Sequence, residues 1–394
     1  MQISWRIVGL VGFGLSLATG LVWLVGGFLT YPMPDNVPTR WDHYRYIAIS
    51  QHPFASDDPL AREAPYCWRI LTPLLVYLSP LAWPVSFMLL TLLGLGGAAL
   101  TLYSYLRKLG YSEQAGIFGL ALFFSLAGLL FNIRDFYLTD PLALFAITLG
   151  FYWFEVVRQR GRINLASGLG LLAILVVGVL TKETVLALLP LLILARELNW
   201  RTKLGLGLGP VLLIIGLRLA FPSSNAYSYL DEMKDVISNK FFGVGITSLL
   251  IRFNFAFLGT WGPALVLLFY RPRQTLTYFV NRKAALIYLV IIYSQIFVAH
   301  NIDRLLVYGF MVVIPLLVDK AVQLCAERKL KLYVLLGITV SLQLAYFYGR
   351  PPLWASLGVC GLLIVWLLRP SQLFKPGKFF TPEETKIDKV MSQK

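Results

Sequence analysis

Long apolar runs separated by short charged connectors repeat from one end of this chain to the other. They cover residues 7–29, 84–106, 114–131, 138–156, 163–180, 184–199, 204–221, 246–270, 284–299, 304–319, 331–348 and 352–368. A helix needs about 20 apolar residues to cross a bilayer. The pattern therefore predicts an all-α polytopic membrane protein with about 12 transmembrane helices. Residues 68–80 form a further apolar stretch, too short to cross and carrying Pro73 and Pro80, and predict a re-entrant or peripheral helix. The 184–199 run is marginal, with Pro190 at its middle. The first run exceeds the roughly 7–15 residues of a signal-peptide core, and no convincing cleavage site follows it, so it reads as a retained anchor.

The connectors are unequal. The first outer loop, 30–67, holds six prolines, and within it Trp41 to Gln51 has helical character with Trp41, Tyr44 and Ala48 along one face. That stretch predicts an interfacial helix near 41–51. The loop 222–245 carries Asp231, Glu232, Lys234 and Asp235. Residues 1–369 read as a single transmembrane domain and 370–394 as a polar cytoplasmic tail. No internal repeat or low-complexity tract interrupts them.

Composition sharpens this picture. The chain is 57% hydrophobic and 14% charged, against about 25% charged residues in a soluble domain. The deficit follows if most of the surface meets lipid. The net charge is +15, but the cations sit in short runs between apolar segments: Arg107-Lys108, Arg158/Arg160/Arg162, Arg201/Lys203, Arg271/Arg273, Arg282-Lys283 and Arg328/Lys329/Lys331. This is the bias of cytoplasmic loops. It excludes a nucleic-acid partner, which would need a basic stripe outside the spans. Twelve crossings with both termini cytoplasmic put the whole net charge on the inner side; removing the 184–199 crossing would move Arg271, Arg273, Arg282 and Lys283 outside. Cys67, Cys325 and Cys360 have neither zinc spacing nor the even count of a disulfide framework.

Ionisable residues cluster at the outer ends of the spans: Asp42, His43, Arg45, Arg69, Arg134, Asp135, Asp140, Lys182, Glu183, His300, Asp303 and Arg304. Charge at membrane depth is costly and tends to be kept for a site or a pathway. Asp42 can act as a base on an acceptor hydroxyl, or cap its helix together with Thr39. Arg69 offers a donor fork for phosphate, or an anchor beside Trp68 and Tyr66. Asp140 before Pro141 fits an N-cap followed by proline at the first helical position. Asp135 has no such role, though it can pair with Arg134. Lys182 suits a phosphate as a point charge, or pairs with Glu183 in its own turn. Arg304 suits a phosphate, or a surface pair with Asp303, and His300 can orient a phosphate or donate a proton. Arg218 and Arg252, inside spans, are expected to be paired or to line a cavity. No Gly-rich phosphate loop, zincin helix or nucleophile elbow occurs.

At these residues the chain resembles the GT-C superfamily of membrane glycosyltransferases, which use polyprenyl-phosphate-linked sugars. The layout runs over most of 1–320: Trp41-Asp42 in the first outer loop, Arg69 to Pro73, Thr139 to Leu144, Lys182-Glu183 and Asp303-Arg304. It looks most like the bacterial mannosyltransferase-type members. The resemblance implies Asp42 as catalytic base and Arg69, Lys182 and Arg304 as holders of the lipid phosphate. It implies a polyprenyl-phosphate sugar donor, a lipid, glycan or protein acceptor, and a bacterial inner membrane. The first loop carries no Asp-x-Asp or Glu-x-Asp pair, so spacing does not support a divalent metal, and no cofactor is implied.

Two other readings compete. A transporter or flippase of lipid-linked sugars would want inverted repeats and charges near the bilayer midplane. An O-antigen-type polymerase or ligase would want a dominant later outer loop. A purely structural membrane partner leaves the one-sided cluster unexplained.

Overall fold

The computed structural model describes residues 4–26, 42–53, 58–161, 163–225, 227–235, 237–238, 255–295, 302–349, 358–359 and 362–363. Every regular element among them is helical. The helices are α1 (Trp5–Gly26), α2 (Asp42–Gln51), α3 (Leu71–Leu78), α4 (Trp83–Lys108), α5 (Glu113–Ser125), α6 (Ala127–Arg134), α7 (Asp140–Arg160), α8 (Leu165–Thr181), α9 (Leu189–Leu194), α10 (Trp200–Ala220), α11 (Tyr229–Asp235), α12 (Pro272–Asn281), α13 (Lys283–Ser294), α14 (Ile302–Leu306) and α15 (Phe310–Gly349). Short 3₁₀ turns at Tyr66–Trp68, Glu183–Leu188, Gly262–Phe269 and Val307–Gly309 join them.

Five described helices are long and apolar enough to cross a membrane, or seven if each sharply bent pair counts as one span. The expected twelve are not reached among the described residues. The 114–131 run is broken into α5 and α6, which meet at 56°, with extended Leu126 between them. The 184–199 run forms a 3₁₀ turn and the six-residue α9 rather than a continuous span. The 163–180 run forms α8, at 17 residues. Much of 246–270 and most of 352–368 lie outside the described residues.

The surface of these helices is apolar in stripes. On α10, Leu204, Leu208, Leu212, Ile215 and Leu219 are all exposed, spaced one helical turn apart. Val85, Leu89 and Leu93 repeat the pattern on α4. Water would penalise such faces, whereas hydrocarbon accepts them. Among the described residues the regular structure is all helical, and its apolar helices suit a multi-pass membrane protein.

The expected charged break between the 304–319 and 331–348 runs is helical instead, within the 40-residue α15. No glycine or proline occurs between Pro315 and Gly337 to stop it. Its two halves nevertheless lie side by side. Phe310 packs on Phe123 with ring centroids 5.2 Å apart, while Gln343 Oε1 accepts from the Ala127 amide at 3.0 Å. A straight helix at 1.5 Å per residue would separate positions 310 and 343 by about 50 Å. The helical path must therefore reverse between Lys320 and Gln343.

The inner layer is α4 packed along α7, with α8 and α10 beyond it. The α4–α7 approach depends on Gly94: a Cβ there would sit 2.7 Å from the Pro141 backbone. Thr91 Oγ1 donates to the Phe136 carbonyl at 2.9 Å just before α7 begins. These contacts fix the N-terminus of α7, where Asp140 lies.

Helix α2 occupies the predicted position, but its surroundings differ from those of a helix laid with one face in lipid. His43 through Ser50 are all buried, so protein encloses it on every side. Thr39 and Trp41 lie outside the described residues.

Candidate active site

Four helices and three connectors bring their charged ends to one place. Arg304, on α14, donates from Nη2 to Asp42 Oδ2 at 2.7 Å, and its Nε lies 3.8 Å from Asp140 Oδ2. The Tyr66 hydroxyl donates to the other Asp42 oxygen at 2.8 Å. Lys182, just past α8, reaches Asp140 Oδ1 at 2.6 Å, and the Tyr308 hydroxyl donates to the same oxygen at 2.7 Å. Arg69 grips Glu183 with two arms of its fork, Nε to Oε2 at 2.9 Å and Nη2 to Oε1. Its third arm donates to the Tyr46 hydroxyl at 3.0 Å. Thr139 donates to that hydroxyl in turn, at 3.4 Å.

Arg69, Lys182 and Arg304 thus face Asp42, Asp140 and Glu183: three cations against three carboxylates. Lys182, Asp140 and Arg304 are all buried. Ions held this deep persist only where partners repay their lost hydration. Asp42 opens α2, where burial pushes its carboxyl up. The charge and hydrogen bond of Arg304, the Tyr66 hydroxyl and the charge of Arg69 outweigh that push and hold it at about 2. Burial, then the charge of Asp42, raise the Tyr66 hydroxyl well above its usual range, so it remains a proton donor.

Several expectations change. Asp140 is not an N-cap: Thr139 holds that position without a side-chain cap, and the Asp140 carboxylate turns to Lys182 and Tyr308. Lys182 and Glu183 do not pair within their turn, because the chain sends them to Asp140 and Arg69. Arg304 engages Asp42 and Asp140 rather than forming an exposed pair. Arg218 is exposed, with its guanidinium 4.5 Å from the Trp68 ring centroid. His300 and Arg252 lie outside the described residues, as does the side chain of Asp303.

His43 and Asp135 meet separately: His43 Nδ1 is 3.6 Å from Asp135 Oδ2. One residue apart on α2, Asp42 and His43 point about 100° away from each other, so they serve different clusters. Arg134 ends α6 beside Asp135. Arg45 donates to Glu63 at 2.5 Å and stacks 4.6 Å from the Tyr66 ring centroid. Among the described residues no three His, Cys, Asp or Glu side chains converge on a common point.

Tyr66, Tyr46, Tyr308 and Glu63 belong to this network although charge clustering did not single them out. Tyr308 carried a signal: it follows Arg304 by four residues, the spacing of one helical face. The segment bearing Glu63, Tyr66 and Arg69 is tied to the loop after α10. Arg62 donates to the Pro222 carbonyl at 2.9 Å, the Ala64 amide donates to Asn225 Oδ1 at 2.8 Å, and Trp68 Nε1 donates to the Phe221 carbonyl at 3.1 Å. Comparison with known proteins returns no matching family model and no matching curated protein.

Proposed function

We propose that this chain is an integral membrane glycosyltransferase of the GT-C kind, moving a sugar from a polyprenyl-phosphate donor to an acceptor hydroxyl at the outer face. One observation carries the reading: Arg69, Lys182 and Arg304, from three distant parts of the sequence, join one network with Asp42 (Arg304 and Arg69 directly, Lys182 through Asp140). The acceptor oxygen attacks the anomeric carbon while its proton passes to Asp42. The bond from that carbon to the phosphate oxygen breaks, and the electron pair stays on the phosphate. The phosphate gains one negative charge, and the three cations stand where that charge develops. In this reading the chain is a multi-pass protein of a bacterial inner membrane, with both termini cytoplasmic. The acceptor is a lipid, glycan or protein hydroxyl.

The test uses the full chain in lipid nanodiscs with radiolabelled polyprenyl-phosphate sugars, mannose first. The expected result is acceptor-dependent release of polyprenyl phosphate, lost in Asp42→Asn. If the donor stays intact but crosses the bilayer of sealed vesicles, the protein is a flippase and the transferase reading falls.

A further inference from the structure

The charges of the site are closed on themselves before any substrate arrives. Arg69, Lys182 and Arg304 each already hold a carboxylate. A phosphate added to this set would bring unbalanced negative charge into a buried place, which is costly. A phosphodiester carries one negative charge, as a carboxylate does. Exchange of one for the other leaves the site neutral.

The two carboxylates on Arg304 differ in how easily they can leave. The Asp140 side chain is 1% exposed and is also held by Lys182 and Tyr308. The Asp42 side chain is 22% exposed and receives one N–H from Arg304. Unused donors lie close by. Arg304 Nε and, on Arg45, both Nε and Nη1 are buried without a hydrogen-bond acceptor. Arg45 stacks on Tyr66, the residue that donates to Asp42. Buried guanidinium N–H groups left without acceptors call for an anion with several oxygens.

We infer that the phosphate of a lipid headgroup loads by displacing Asp42 from Arg304, so that the carboxylate turns to the acceptor only when the donor is in place. This rests on the glycosyltransferase reading for its purpose, and on the ion-pair geometry for its substance. An empty site keeps its base tied down. A loaded site frees it, which couples proton removal to the presence of a donor.

Binding of farnesyl phosphate and of inorganic phosphate to the detergent-solubilised full chain, by calorimetry at about pH 5, where each carries close to one negative charge as a phosphodiester does, tests the exchange. Asp42 competes with the ligand, so Asp42→Asn should bind farnesyl phosphate about tenfold more tightly than wild type. Glu113→Gln removes a carboxylate that pairs with Arg6 and touches none of these groups, and should change affinity by less than about twofold. Arg304→Gln should weaken binding about tenfold or more. Thermal unfolding verifies that each variant is folded, with Asp42→Ser replacing Asn if needed. Unchanged or weaker binding in Asp42→Asn, with Arg304→Gln still impaired, overturns the exchange and leaves the phosphate site standing. No binding of farnesyl phosphate by wild type overturns both. Equal affinity for the two ligands overturns the assignment to a lipid headgroup.

Discussion

Arg304 and Asp42 share a 2.7 Å hydrogen bond across 262 residues of sequence. Arg304 also approaches Asp140 at the start of α7. The guanidinium thereby ties α2, the core helix α7 and α14, which leads into the long α15, into one unit. In the proposed transferase reading, the base, the developing phosphate charge and the helices that position both are linked through this one side chain.

Loss of the Asp42 carboxylate should remove transfer without unfolding the protein. Removal of a positioned general base costs about 10²–10⁴ in rate. Sugar transfer by Asp42→Asn in nanodiscs should fall by that order. Wild-type turnover in that variant would take the base role from Asp42.

The same carboxylate sets an acid dependence. In the folded chain Asp42 titrates at about 2, against 3.8 for the unperturbed group. Its contribution to stability, about 2 kcal/mol, is fully present above pH 3.8. It is lost as pH falls from there through the folded value. The stability gap between wild type and Asp42→Asn, measured by unfolding in detergent, should therefore be constant above pH 5 and shrink between roughly pH 4 and 2. A gap that widens on acidification would reverse the sign and contradict the ion pair.

How far the sequence reveals this site depends on the kind of residue. Asp42, Arg69, Asp140, Lys182, Glu183 and Arg304 are legible because charge at the end of an apolar run is costly and therefore conspicuous. Their partners are not legible. Lys182 beside Glu183 suggests a local pair, yet only the packing of α7 against α8 shows that Lys182 belongs to Asp140. The tyrosines escape notice because an aromatic residue at a span end is ordinary. The helices of the core are visible as apolar runs. The reversal within α15 falls in the charged stretch between the 304–319 and 331–348 runs, where two separate crossings require it, whereas the bend at Leu126 is not visible, because no proline or charge interrupts the 114–131 run.

The Lys182–Asp140 pair should be fragile to single changes and tolerant of a paired one. Breaking a buried ion pair from one side strands a charge and costs about 3–5 kcal/mol. Lys182→Met alone should lower the thermal midpoint strongly. Lys182→Met combined with Asp140→Leu should recover much of the loss while leaving transfer absent. If the double variant unfolds as readily as the single, the pair is not the source of the penalty.

Orientation can be read by a single introduced thiol. In the twelve-crossing layout Thr275 lies on the inner side, between Arg271/Arg273 and Arg282/Lys283. In the structure it belongs to α12, which meets α13 at 100° and buries none of its residues. Thr275→Cys in a chain lacking Cys67, Cys325 and Cys360 should react with an impermeant maleimide only after the membrane is opened. Labelling from outside intact cells would invert the parity.

Gly94 offers the test of how the site is positioned rather than of what it does. A Cβ at this position would stand 2.7 Å from the Pro141 carbonyl carbon and 2.8 Å from its oxygen. Backbone cannot swing aside as a flexible side-chain tip can, so Gly94→Ala must push α4 and α7 apart. Overpacking of this kind costs about 1–3 kcal/mol. Asp140 precedes the displaced proline, so the carboxylate should move relative to Lys182 and Arg304 as well. Gly94→Ala is expected to lower both the thermal midpoint and the transfer rate. Gly9→Ala, on α1 with open space around its Cβ position, should do neither. If Gly94→Ala keeps full activity and stability, the close α4–α7 approach is not what places Asp140.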